Sequence, residues 1–190
     1  MKRLTILMTL FFAGSIAYGQ SVNSPTYDNE GFFANASLLG AAWTLDDVDI
    51  DAQSGAGFGV KLGYNFNTNF GLFASFDASN INPDNGENYL LGHFDIGGQG
   101  IFRSASDRVR PFIKASFVGM SAQDDDIEIN GGGFGLGAGL YISLTEKLGF
   151  NVNYTHSWIN ISEVKIGSQT FDVEENATTG RFSLGLTYHF

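Results

Sequence analysis

Gly180-Arg181-Phe182-Ser183-Leu184-Gly185-Leu186-Thr187-Tyr188-His189-Phe190 ends the 190-residue chain. Apolar side chains stand at 182, 184, 186, 188 and 190, and Arg181, Ser183, Gly185, Thr187 and His189 stand between them. A period of two specifies a strand with one apolar and one polar face. In a soluble sheet, five outward apolar residues running up to the last residue would be an exposed liability. In a transmembrane barrel they are expected, because the outer face meets lipid and the inner face meets water or a polar core.

Seven further segments can be divided on the same rhythm. Strands are expected at 31–45, 55–66, 70–79, 89–103, 111–121, 131–145 and 148–159. The second sets Phe58, Val60, Leu62, Tyr64 and Phe66 against Gly57, Gly59, Lys61, Gly63 and Asn65. The sixth sets Phe134, Leu136, Ala138, Leu140 and Ile142 against Gly133, Gly135, Gly137, Gly139 and Tyr141. The first has the least distinct faces, so a bulge shifting its register is expected there. Short connections (67–69, 103–110, 145–147) alternate with long ones (46–54, 80–88, 122–130, 160–177). Transmembrane barrels have short periplasmic turns and longer extracellular loops. The expected fold is therefore all-β, an eight-stranded antiparallel up-and-down transmembrane β-barrel over 31–190, with three turns, four loops and both termini periplasmic.

Composition agrees. No apolar run beyond the N-terminus reaches the roughly 20 residues of a membrane-spanning helix, so a closed barrel is the remaining way to satisfy every backbone group in lipid. Glycine at 25 and phenylalanine at 18 residues fit alternating strands. A soluble lipocalin-like barrel would turn its apolar face inward around a ligand. That reading would place the glycine row at 133–139 on the exterior, where it does nothing, instead of inside a narrow barrel where it relieves crowding.

Residues 1–19 read as a signal peptide, with Lys2 and Arg3 before an apolar run and Ala17-Tyr18-Gly19 at the expected cleavage site before Gln20. Residues 20–30 form a polar periplasmic lead-in. Without Lys2 and Arg3, 8 basic residues face 20 acidic ones, a net charge of −12. Cysteine is absent, which excludes disulfides and thiolate metal sites. There is no basic patch for nucleic acid, and the glycine-rich run at 96–100 lacks the strand-to-helix context and Lys-Ser/Thr ending of a phosphate loop.

Two groups of residues carry whatever chemistry the chain has. Lys61, Asp77, His93, Asp95, Lys114, Arg181 and His189 are expected to face the lumen. An eight-stranded barrel is just wide enough for side chains to fill, so these form either a paired polar core or the lining of a narrow solute path. The long loops hold 14 of the 20 acidic residues, among them Asp47, Asp49, Asp51, Asp124, Asp125 and Asp126, against one base, Lys165. They make either a solvated acidic rim or a loose divalent-cation or partner-binding surface. Asp47-x-Asp49-x-Asp51 opens like a calcium loop, but Ala52 replaces the required glycine and Phe58 the closing glutamate. No defined metal site or cofactor is expected. Alternation within 47–51, 126–129 and 163–166 suggests that strands continue beyond the membrane as a protruding sheet with edges open to a partner strand.

An alternating last strand ending in Tyr188-His189-Phe190, together with the signal peptide and loop rhythm, resembles the small bacterial outer-membrane β-barrel family that includes OmpX-like and OmpW-like proteins. The resemblance covers the whole mature chain and is specific for class. It implies that Tyr188 and Phe190 are read by the barrel assembly machinery, that outer-membrane lipid and lipopolysaccharide surround the chain, and that the barrel is monomeric. It implies no tethering peptidoglycan-binding domain, since the chain ends at Phe190. Thr155-His156-Ser157 with Glu163 invites comparison with outer-membrane lipid A deacylases, in which the His and Ser lie two residues apart on one face. Here they are adjacent and point to opposite faces, so no enzyme is expected. The functional expectation is a structural or interaction barrel serving adhesion or envelope integrity, through an unidentified extracellular partner. The alternative is a minor porin or lateral conduit for small or hydrophobic molecules.

Overall fold

The structure, a computed structural model, describes residues 29–45, 52–83, 87–102, 108–124 and 127–190. The expected signal peptide, most of the lead-in, and Asp47, Asp49, Asp51, Asp125 and Asp126 lie outside these residues. Eight strands follow in order: β1 (Gly31–Leu45), β2 (Gln53–Asn67), β3 (Phe70–Ile81), β4 (Tyr89–Ile101), β5 (Val109–Gln123), β6 (Ile127–Ser143), β7 (Leu148–Ile166) and β8 (Gln169–His189). Each pairs antiparallel with the next, and β8 returns to β1, which closes the barrel. Closure leaves no sheet edge through the wall, as a membrane requires.

Alternation sorts side chains across that wall. Leu38, Phe58, Leu62, Ile96, Ile113, Phe117, Phe134, Phe182 and Leu186 are exposed on the outside, Phe117 at 81%. A surface of this kind is stable only against lipid. Tyr64, Phe66, Phe70, Tyr188 and Phe190 gather at the end where the turns lie, in ring-to-ring contacts such as Tyr188–Phe190 at 5.3 Å. This matches the aromatic girdle at a membrane interface.

The turns are built by side chains. Asn67 Oδ1 accepts from the backbone N–H groups of Asn69 and Phe70, both at 2.9 Å, and Thr145 Oγ1 accepts from Leu148 N–H at 3.0 Å. These three bonds offer the backbone a local alternative to the ladder, which lets it reverse.

The strands differ from expectation in three places. β1 runs without a bulge, in unbroken register with β2 and β8. Its faces look alike because both are apolar towards its upper end: Leu38 faces lipid, while Leu39, Ala41 and Trp43 are buried inside. The register shifts fall instead at Asn65/Asn67, Asn130/Gly131 and Ile161/Glu163. The segments 122–130 and 160–177 are not long loops, and β5 and β6 pair out to Gln123 and Glu128. β7 and β8 continue as a hairpin to a turn at Gly167, whose φ of +58° suits a residue without a Cβ. β6 continues beside them, so a three-stranded sheet stands above the barrel mouth.

Candidate functional site

The inward side chains stack in three layers. The middle layer centres on Arg181 of β8, which is 4% exposed. One guanidinium nitrogen donates to Asp77 Oδ2 at 2.7 Å and Asp95 Oδ2 at 2.8 Å; the other donates to Asp95 Oδ1 at 3.0 Å and Ser157 Oγ at 3.1 Å. The bond to Asp95 is thus two-pronged, the geometry that makes Arg–carboxylate pairs strong. Asp77 on β3 and His93 on β4 are direct cross-strand partners, joined at 3.1 Å through His93 Nδ1. Ser75 and Ser116 add hydroxyl donors to Asp95. Arg181 thereby ties β8 across the lumen to β3 and β4. Lys61 and Lys114 lie nearby, with the Lys61 ammonium 5.4 Å and the Lys114 ammonium 5.8 Å from the Phe73 ring centre. That is cation–π range.

The lower layer closes the end where the short turns lie. Arg110 donates to Asn29 Oδ1 at 2.7 Å and Ser143 Oγ at 3.3 Å, with its guanidinium 5.0 Å from the Tyr141 ring centre. Asn65 donates to the Asn29 carbonyl, and Gln99 donates to Asn65. His189 packs between Phe33 and Tyr141, each with ring centres 5.7 Å away. Sequence reasoning missed Asn29 and Arg110, having assigned them to the lead-in and a basic turn. Asn29 precedes the first alternating segment, whereas Arg110 lies in β5 with the inward parity of Lys114 and Ser116, so carrying that strand's alternation one residue back past Pro111 would have marked it.

The upper layer is apolar. Leu39, Ala41 and Trp43 of β1 meet Ile81, Leu91, Val118, Met120, Ile159, Ile161 and Ala177 in one buried cluster. Ile81 and Leu91 are completely buried. Above it, the Trp43 indole N–H donates to the Tyr89 hydroxyl, which donates to Gln53. The lumen is therefore not polar throughout. Between the layers remain two small cavities, about 40 and about 30 Å³, both lined by Lys61. Each has room for a few waters, since one needs roughly 10–15 Å³.

His156 and Ser157 fall on opposite faces. The His156 ring meets Trp158 edge-on at 4.5 Å on the outside, while Ser157 is fully buried beside Arg181. At the rim, Lys165 Nζ reaches Glu163 Oε1 at 2.9 Å and Glu128 Oε1 at 3.8 Å. These contacts lower the Glu163 carboxyl below its usual range, first through the Lys165 hydrogen bond, and raise the Lys165 ammonium above its own through the same bond. Among the described residues no three His, Asp or Glu side chains converge on a metal position. Asp124 donates its backbone N–H to Ile127 O at 2.9 Å and helps turn β5 into β6. Tyr188 and Phe190 face outward, and Phe190 N–H donates to Phe32 O at 3.0 Å.

Comparison with solved structures shows the same fold at low identity. Neisserial surface protein A is 16% identical with a TM-score of 0.66, the match covering 85% of this chain and 98% of that one. Ail, the attachment invasion locus protein of Yersinia pestis, is 18% identical with a TM-score of 0.56 over 85% and 99%. OprG from Pseudomonas aeruginosa is 11% identical with a TM-score of 0.56 over 85% and 97%. No curated protein matches the chain. The family model described as outer membrane protein beta-barrel domain matches residues 5–190, nearly the whole chain, and the chain belongs to that family.

Proposed function

We propose that this protein is a closed outer-membrane barrel, exported through a cleaved N-terminal signal, that acts through its extracellular rim in adhesion or envelope integrity. The observation that carries the reading is the double closure of the lumen. Arg181 bridges β8 to β3 and β4, and an apolar layer lies above it. A conducting pore needs a continuous wet path, and an apolar constriction opposes ions by dewetting. With the inside committed to holding the barrel together, the surface left for recognition is the sheet formed by β6, β7 and β8 and the acidic connections around it.

The charge of that rim selects its partners. Ail has been solved with the heparin analogue sucrose octasulfate, a polyanion. This chain places 14 of its 20 acidic residues in the segments expected outside, which disfavours polyanions and favours basic segments, or lipopolysaccharide phosphates bridged by divalent cations. Tyr188 and Phe190 serve as the assembly signal, and the barrel is monomeric in lipid.

A second reading, lateral passage of hydrophobic molecules, has one observation in its favour. An apolar recess of about 690 Å³ opens on the outer face between Phe32, Leu62, Tyr64, Leu72 and Phe190, and Phe33 lines both it and the lower lumenal cavity. Planar-bilayer recording of the refolded protein separates open from closed. The expected result is silence for the wild type and for Lys114→Ala. Steady conductance altered by Lys114→Ala would refute closure.

A further inference from the structure

In the middle layer, every carboxylate oxygen already has a donor. Asp77 Oδ1 is met by His93 and Oδ2 by Arg181. Asp95 Oδ1 is met by Arg181 and Ser116, and Oδ2 by Arg181 and Ser75. Lys61 and Lys114 are outside this set. Among the described residues neither ammonium lies in an ion pair; each sits over aromatic rings, which attract a cation but neutralise none of its charge. Both lysines line the same cavity of about 40 Å³.

Charge accounting for the layer does not close. With Lys61, Lys114 and Arg181 all protonated and His93 neutral, three cations face the carboxylates of Asp77 and Asp95, which line the same cavity, so one positive charge is left over. A buried charge without a counter-charge bears a large desolvation cost. The layer is nevertheless shaped to keep the lysines in place. At Gly137, an added Cβ would stand 2.7 Å from Lys114 Cε, so the glycine provides the room its stem occupies. Asn35, Ser37, Asn153 and Ser183 line the same cavity and supply amide and hydroxyl groups.

We infer that the lumen holds one small monovalent anion of the halide class between Lys61 and Lys114. One such ion neutralises the layer, and the cavity exceeds the space of one water while excluding a large organic anion. The inference goes beyond the rim's role and does not depend on it. Because the layers above and below are closed, the ion is acquired during folding and exchanges slowly afterwards.

The test is refolding from denaturant in chloride or in gluconate, at equal ionic strength and pH, followed by thermal unfolding read from heat-modifiable gel mobility. The expected result is a higher midpoint in chloride that saturates with concentration, as linkage requires of a ligand held by the folded state. Lys61→Met and Lys114→Met should each remove the difference between the two salts. Equal midpoints for the wild type, or a chloride effect that survives both substitutions, would overturn the inference. If neither variant folds, crystals of wild-type protein refolded in bromide decide the matter. An anomalous scattering peak between the two ammoniums is expected, and a cavity without one refutes the site.

Discussion

Arg181 is the side chain on which the interior depends most, because it is the cation that Asp77 and Asp95 share. Removing it would take the shared cation from two carboxylates, neither of which can move out of a closed wall. Breaking a buried pair from one side costs about 3–5 kcal/mol. Arg181→Met is therefore expected to lower stability by about that amount in urea titrations of the detergent-refolded protein, with the loss read at constant slope. Asp95→Asn should cost less, because Asp77 still pairs with the guanidinium and an amide oxygen can still accept one of its bonds. If Asp95→Asn proves as damaging as Arg181→Met, the two-pronged pair, rather than the shared cation, is the dominant interaction.

Among the strands, β1 shows what the sequence does and does not disclose. The terminal strand's alternation and the glycine row of β6 told inside from outside because their two faces differ in chemistry. β1 carries apolar residues on both, since Leu38 meets lipid while Leu39, Ala41 and Trp43 meet the upper core. Alternation has no contrast there, and its ambiguity was a sign of the apolar layer, not of a bulge. The inward ring of charges was legible from Lys61, Asp77, Asp95 and Arg181, but their pairing was not, because it joins β8 to β3 and β4 across the lumen. The upper layer predicts its own weight. Leu91 on β4 is fully buried, so Leu91→Ala should destabilise by about 2–5 kcal/mol. The same variant should stay silent in a planar bilayer, because Arg181 still blocks the lumen below the vacancy. Conductance appearing with this single change would mean that the apolar layer alone forms the closure.

Across the molecule as a whole, charge is sorted by location. The barrel interior holds its cations close to carboxylates and rings, and the lipid face carries none of them. The acidic excess falls in the segments proposed to face the outside, where solvent would screen it over a Debye length of about 8 Å at physiological salt. A field of that sign raises the local concentration of cationic partners and repels anionic ones, and it weakens as ionic strength rises. Nanodisc-embedded protein should therefore bind an immobilised lysine-rich peptide at low salt and release it as salt increases, while heparin gives no response. The triple change Asp124→Asn, Asp125→Asn, Asp126→Asn removes three of the 14 acidic residues expected outside. It should slow association with the peptide more than it speeds dissociation, the signature of steering by a rim charge rather than of a buried contact. Heparin binding by the unmodified protein would refute the electrostatic basis of the proposed partner choice. Peptide binding indifferent to salt would instead move recognition to the apolar face of the protruding sheet, where Ile127, Ile166 and Phe171 are exposed.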